Sequence, residues 1–244
     1  YRVRQIEDAL DVLLFDRSSR QAVPTAAGQE LLREASRLLD DMDAVANRVR
    51  RVATGWEAVL TVAVDSIVAR NVVMDLCARF LALASPTRLR LRYETLSGTL
   101  AALTSGQADL ALGAVAIPGL SKDIHHLELG PVPFVFAVAA HHPLATAPEP
   151  LTDALMAQHR AVAVADSVQR GAGVTIGLLP GHDVFTVSNM HSKIEAQVRG
   201  LGVGFVPELM VQPLIDQGVL VVRKVDRPQR VAQLSYAWRI PDGS

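Results

Sequence analysis

The sequence predicts an α/β fold preceded by one long helix, on three observations. First, Leu31, Ala35, Leu38, Met42, Val45, Val49 and Val52 recur at alternating intervals of four and three, the seam of a helix that packs against another helix. Second, from residue 59 onward, short apolar runs alternate with helical periodicity, twice in succession, which is the pattern of βαβ units. Third, before the long helix, a short helix is followed by two apolar runs around a tip carrying Arg17, Ser18, Ser19 and Arg20, the order of a helix and a small hairpin.

Composition sets the outer limits. Half of the 244 residues are apolar and a fifth are charged, as in a soluble globular chain. No apolar run approaches the ~20 residues of a membrane span, and the single Cys77 excludes an internal disulfide and fits a reducing cytoplasm. The net charge of −1 gives bulk electrostatics no part in nucleic-acid binding. Any such binding has to rest on geometry.

The N-terminal order is that of the end of a winged helix-turn-helix: a helix closing near Leu10, a basic hairpin, then a helix opening at Thr25. Thr25 is the expected N-cap and Gly55 the expected stop of the long helix. Between 29 and about 52 there is no Gly or Pro. Arg33, Glu34, Arg37, Asp40, Asp41, Asp43, Arg48, Arg50 and Arg51 form its solvated face. A seam of this length fits a coiled dimer better than an ordinary amphipathic helix, because little else in the chain could cover it.

The following region reads as strands at 59–64, 88–94 and 108–113, with helices at 69–84 and from Ser97 to Gly106. A second set follows: strands at 134–138, 161–165 and 203–206, helices at 151–159, from Ser188 to Gly200 and from Pro207 to Gly218, and late strands at 219–222 and 231–238. Two sets of this size imply two lobes with a cleft between them. The chain should cross near 130–134 and again near 210–218. The expected domains are 1–24, the remainder of a winged domain; 25–55, the linker and dimerisation helix; 58–133 with 212–244, lobe I; and 134–211, lobe II.

In such sheets a ligand sits beyond the carboxyl ends of the strands. That places Asp65, Ser66 and Ile67, then Thr95 and Ser97, then Ala114 in lobe I, and Asp166, Ser167, Asn189 and Met190 in lobe II. Each has an alternative: Ser97 and Ser188 as helix caps, Asp65 as a cap, and Asp109 as a loop tie. Asp65 disfavours a bare anion and suits N–H donors or a positive group.

Other motifs carry no chemistry. His125 and His126, and His141 and His142, are adjacent pairs that chelate a metal poorly. Cys77 lies among Met74, Leu76 and Phe80 as a packed thiol. The loop of Gly171, Gly173 and Gly177 lacks the Lys and Ser/Thr of a phosphate loop. No nucleophile turn is present, so no catalytic residue is assigned and no enzymatic activity is expected.

Ile6, Glu7, Leu10, Leu14, Phe15, Asp16, Arg17, Arg20, Thr25, Ala27, Gly28, Leu31 and Leu32 together resemble the signature of the LysR-type transcriptional regulators, I-x-x-L-E-x-x-L-G-x-x-L-F-x-R…L-T-x-A-G-x-x-L-L. Further landmarks agree in order: Gly106 to Asp109, His142 to Ala145, and Gly200, Gly202, Gly204 and Pro207. Asp11 replaces the family's glycine after the recognition helix and Pro24 the leucine before its threonine. The resemblance implies that Tyr1 falls within the recognition helix, with the base-reading part before it, and that a final helix follows beyond Trp238. It implies a two-lobed effector domain of the type 2 periplasmic-binding-protein fold.

The resemblance further implies a cytoplasmic regulator with double-stranded operator DNA and a small-molecule effector as partners, and RNA polymerase left open as another. It implies a homodimer through the linker helix, with a homotetramer left open, and no cofactor, metal or membrane. Arg2 and Arg4 would face DNA from the recognition helix, Arg17 and Arg20 from the hairpin, and Thr25 at a phosphate. A fainter similarity, through 63–68, Leu112 to Ala114, Ile117 and Pro118, points to the purine-transport-regulator branch. The competing reading is a solute-binding or enzymatic two-lobed α/β protein with a helical dimer handle.

Overall fold

The computed structural model describes residues 2–16, 22–115, 123–168 and 178–240, the side chains at 44, 47, 48, 50, 51 and 54 excepted. Arg17, Arg20, Ile117, Pro118, Gly171, Gly173, Gly177 and the side chains of Arg48, Arg50 and Arg51 lie outside the described residues. The chain forms two compact units, Tyr1–Ala58 and Val59–Ser244.

In the first unit, α1 (Arg2–Leu10) ends at Asp11, which takes φ +52°. This is the left-handed position that glycine adopts most easily, so the substitution read from sequence falls at the turn that needs it. Glu7 is buried, and its Oε1 accepts the N–H groups of Leu14 at 2.8 Å and Phe15 at 3.3 Å. One carboxylate thereby orders the chain leading into β1 (Phe15–Asp16), which pairs antiparallel with β2 (Val23–Pro24). The hairpin is as expected.

Thr25 then starts α2 (Ala26–Thr54). Its Oγ1 accepts the Gly28 N–H at 3.1 Å, the expected cap, and donates to the Leu13 carbonyl at 2.7 Å. Its own N–H donates to the Leu14 carbonyl at 3.0 Å. The backbone of α2 passes so close to Leu14 that a Cβ on Gly28 would lie 2.1 Å from the Leu14 carbonyl oxygen. Further along α2, Leu38, Met42, Val45, Val49 and Val52 are 49–87 % exposed, so the heptad seam is bare in a single chain.

The second unit is built on a seven-stranded sheet in the order β10 (Leu220–Arg223), β6 (Ile124–Ala139), β11 (Arg230–Arg239), β5 (Leu110–Val115), β3 (Val59–Asp65), β4 (Arg88–Glu94), with β9 (Gly204–Pro207) also paired to β6. β3 (Val59–Asp65) lies parallel to β4 (Arg88–Glu94) and to β5 (Leu110–Val115), joined by α3 (Arg70–Leu81) and α4 (Gly98–Thr104). Apolar residues alternate across this sheet. Val62, Val64 and Leu112 pack with Val73 of α3 on one face, and Ala111 and Ala114 pack with Leu100 and Leu103 of α4 on the other. Asp109 ties the loop before β5, accepting the Thr61 N–H at 2.7 Å, as expected.

β6 (Ile124–Ala139) is far longer than the five residues read from sequence, and it runs through both lobes. Its first part pairs with β11 (Arg230–Arg239), and its last part pairs with β9 (Gly204–Pro207) and β10 (Leu220–Arg223). The helices of the second lobe are α5 (Asp153–Met156), α6 (Met190–Val198) and α7 (Glu208–Asp216). A separate parallel pair, β7 (Ala161–Val164) with β8 (Val184–Val187), joins them through the Ala161–Val203 bridge.

Four expectations are corrected. Strand β8 is absent from the sequence expectation: Val184, Phe185, Thr186 and Val187 are strand-forming types, but the run is only four residues long and does not alternate between a buried and an exposed face. α5 is one turn rather than nine residues. α3 stops at Leu81, before Ala84 turns at φ +50°. α7 and β10 pack with Val206 and Ala137 of the second lobe. The chain therefore returns along β11, later than residue 212.

The Gly28 contact makes a prediction. Gly28→Ala should cost the N-terminal unit about 1–3 kcal/mol, since a methyl has no room beside a backbone carbonyl. Hydrogen exchange of the Leu14 and Phe15 amides, compared with the wild type, measures it.

Candidate functional site

The carboxyl ends of β3, β4 and β7 and the start of α6 meet, as the fold requires. Ser66 Oγ accepts the N–H of Met190 at 3.2 Å. Thr95 Oγ1 donates to the Ala165 carbonyl at 2.6 Å. Ser167 Oγ accepts the Thr95 N–H at 3.1 Å and donates to the Thr95 carbonyl at 3.2 Å. Ser97 Oγ donates to Asp166 at 2.6 Å. Gly98 sits under this seam, and a Cβ there would meet Ser167 Oγ at 1.8 Å.

Ser66, Thr95, Ser97, Asp166 and Ser167 therefore bond one lobe to the other. Ser97 does not cap α4, and Ser188 does not cap α6. Asn189 caps α6, its Oδ1 accepting the Ser192 N–H at 2.9 Å. Asp65 is no helix cap either, since α3 begins after Ala69.

Beside the seam lies a cavity of about 260 Å³, small beside the pockets that hold drug-sized ligands. Of the ten residues read from sequence, Asp65, Ile67 and Met190 line it. Ala114 is instead buried in the core beneath the sheet, and its neighbour Val115 reaches the cavity. Leu96, at the strained φ of +55°, forms part of the wall. The rest is mostly apolar, from Phe134, Val162, Val203 and Phe205.

Three charged groups face this space: Asp65, Lys193 and Arg230. Burial pushes the Asp65 carboxyl up to about 6, opposed by N–H groups of Ile67 and Leu96 and by the Thr99 hydroxyl, with Asp166 raising it further. Burial, and then Arg230, pulls the Lys193 ammonium down to about 8. Arg230 stacks over Phe205, its Cζ 5.8 Å from the ring centroid. Lys193 and Arg230 escaped the sequence reading, which followed strand ends. The available signal was a lysine on the apolar stripe of α6, between Met190 and Ile194. A larger cavity over β3, β4 and β5 is walled almost wholly by apolar side chains such as Leu60, Phe80 and Leu91, so nothing in it would orient a polar ligand.

The remaining sites stand apart. Arg2 and Arg4 are exposed on α1. The Thr25 hydroxyl is engaged within its own unit. His142 Nδ1 accepts the Leu144 N–H at 3.2 Å, a local turn contact. Cys77 is half-buried against the Val62 and Val64 core.

Residues 53–240 match the LysR substrate binding domain family. The chain belongs to the LysR family of HTH-type transcriptional regulators. It is 35 % identical over 225 residues to YeeY of Escherichia coli, an uncharacterized HTH-type transcriptional regulator, covering 92 % of this chain and 73 % of that one. Full-length AphB, a virulence activator of Vibrio cholerae, superposes with a TM-score of 0.59 at 17 % identity, over 99 % of this chain and 82 % of that one. Full-length LysG of Corynebacterium glutamicum with bound effector arginine gives 0.55 at 21 % identity, over 99 % and 81 %. These last two show the fold, which is the two-lobed α/β architecture expected. No described helix is long and apolar enough to cross a membrane.

Two predictions follow from the seam and the carboxylate. Gly98→Ala should drive Ser167 aside and break its bonds to Thr95, which faster exchange of the Thr95 amide would record. For Asp65, the folded protein holds a proton that the unfolded chain has released between pH about 4 and 6. Stability contributed by that proton is full below this window and lost as pH rises through it. Asp65→Asn should match the wild type near pH 4 and exceed it by on the order of 2 kcal/mol at pH 8. Urea unfolding at the two pH values measures the difference.

Proposed function

We propose that this regulator binds operator DNA through α1 and the β1–β2 hairpin, dimerises along α2, and is gated by a small molecule in the cavity beside Asp65. The observation that supports it best is the bare apolar seam on a helix that starts directly from the hairpin. Exposed apolar residues on that periodicity are stable in water only when a second helix covers them. Two paired helices would hold two DNA-contacting hairpins at a fixed spacing.

In this reading Arg2 and Arg4 face the DNA from α1 and Arg17 and Arg20 contact the backbone, whereas the Thr25 hydroxyl, expected from sequence at a phosphate, gives its proton to the Leu13 carbonyl and ties the hairpin to α2. The protein acts in the cytoplasm by binding rather than turnover. The cross-lobe bonds of Thr95, Ser97 and Ser66 belong to a closed arrangement. A ligand that prefers this arrangement over a more open one shifts the equilibrium by its difference in affinity, typically about 1–3 kcal/mol. That difference would re-angle the paired hairpins and alter DNA bending.

The test is a mobility-shift titration of the protein on the DNA upstream of its own gene. A retarded complex whose affinity falls steeply with salt is expected; none at low salt would overturn the reading. Arg20→Ala should weaken binding and reduce the salt slope by about one. Met42→Glu should convert a dimer to monomers in sedimentation and weaken DNA binding together, because a charge in the seam is buried by pairing.

A further inference from the structure

α6 buries one face made of Met190, Lys193, Ile194 and Gln197. Lys193 is only 7 % exposed, lines the cavity, and has no hydrogen-bond or ion-pair partner among the described residues. Its ammonium lies against Gly204, where a Cβ would stand 3.3 Å from Nζ. Arg230, half-buried across the cavity lining, likewise has no carboxylate partner among the described residues. Three arginines of the same C-terminal stretch are treated differently by the fold. Arg227 makes two hydrogen bonds to Asp153, Arg223 pairs with Glu149, and Arg239 pairs with Asp123.

Two cations left unmatched in one apolar-walled space are costly unless something brings them an anion. Asp65 is the one carboxylate lining the cavity among the described residues, and the cations do not figure among the charges that act on it. Two positive groups and one negative group leave a single net positive charge in the cavity. A monoanion balances it, whereas a dianion would place its second charge against Asp65.

We propose that the cavity ligand is a small organic monocarboxylate, its carboxylate held between Lys193 and Arg230 and the rest of the molecule against Phe134, Val162 and Phe205. This rests on the effector reading above and names the class that the site takes. It revises the sequence expectation, in which Asp65 alone argued against an anion. The ammonium of Lys193 supplies the charge and the planar guanidinium of Arg230 the paired N–H donors that a carboxylate matches.

Thermal unfolding of the full chain with acetate, butyrate and benzoate, each against its neutral amide at the same ionic strength, tests it. At least one carboxylate should raise the melting temperature above its amide. Lys193→Met should remove that increment, weakening apparent binding about tenfold or more. The same variant should melt higher than the wild type without carboxylate, because a buried unpaired charge has gone. Lys193→Gln, which keeps a polar group, should also lose the increment, and Arg230→Met should reduce it. No acid–amide difference in any pair, or an increment that persists in both Lys193 variants, would overturn the proposal. Equal stabilisation by acid and amide would overturn the charge assignment and leave a small-molecule cleft intact. DNA binding is read in the mobility shift without any of these probes, so the two proposals fail separately.

Discussion

The antiparallel pair β6–β11 is the constraint on which the effector domain depends. It is continuous through both lobes, from Ile124 opposite Arg239 to Phe134 opposite Arg230. Its register breaks once, between Leu234 and Ser235, where Gly130 takes φ +119°. A bulge is where a sheet bends most readily. The cavity lies further along the same pair, with Phe134 from one strand and Arg230, Val231 and Ala232 from the other in its wall. Any change in the angle between the lobes has to pass through the same strands that carry the cavity-lining side chains.

The cleft holds two kinds of polar group with opposite energetics. The hydroxyls of Ser66, Thr95, Ser97 and Ser167 find partners across the lobes and hold the two lobes as they stand. Asp65 and Lys193 are buried charges displaced from their ordinary titration ranges by desolvation, and their burial weakens the domain. The cores on either face of the sheet, with Val64, Val138, Val206 and Leu220 fully enclosed, offset that weakness. Stability given up at a site and restored in the packing around it is common in proteins that bind ligands.

Much of this was legible from residue patterns, for reasons that differ by element. β4 was read residue for residue at 88–94 because Leu89 and Leu91 alternate with arginines. α2 was read because its seam has a period that no strand shares. β8 is hard to read because its four residues show no alternation: the central pair, Phe185 and Thr186, is exposed and the outer valines are half-buried. The extent of β6 is hidden in the sequence because residues 125–129 are exposed and include His125, His126 and Glu128. In the site, the strand-end rule gave Asp65, Ile67 and Met190. It also gave serines and threonines that the fold uses to join the lobes, a pairing that only three-dimensional proximity reveals. Lys193 was legible in principle, as a charge on the stripe of α6 that should have been apolar.

The hairpin and the first turn of α2 share a backbone contact too tight to slip, with Thr25 bonded to Leu13 and Leu14 and Gly28 pressed on the Leu14 carbonyl. The angular phase of everything distal on that rod is consequently referenced to the hairpin. Each residue inserted after Gly28 would rotate the apolar stripe by about 100° about the axis, and seven would nearly restore it. The spacing between the hairpin and the stripe therefore behaves as a gear setting, whose teeth come back into line only about every seventh residue.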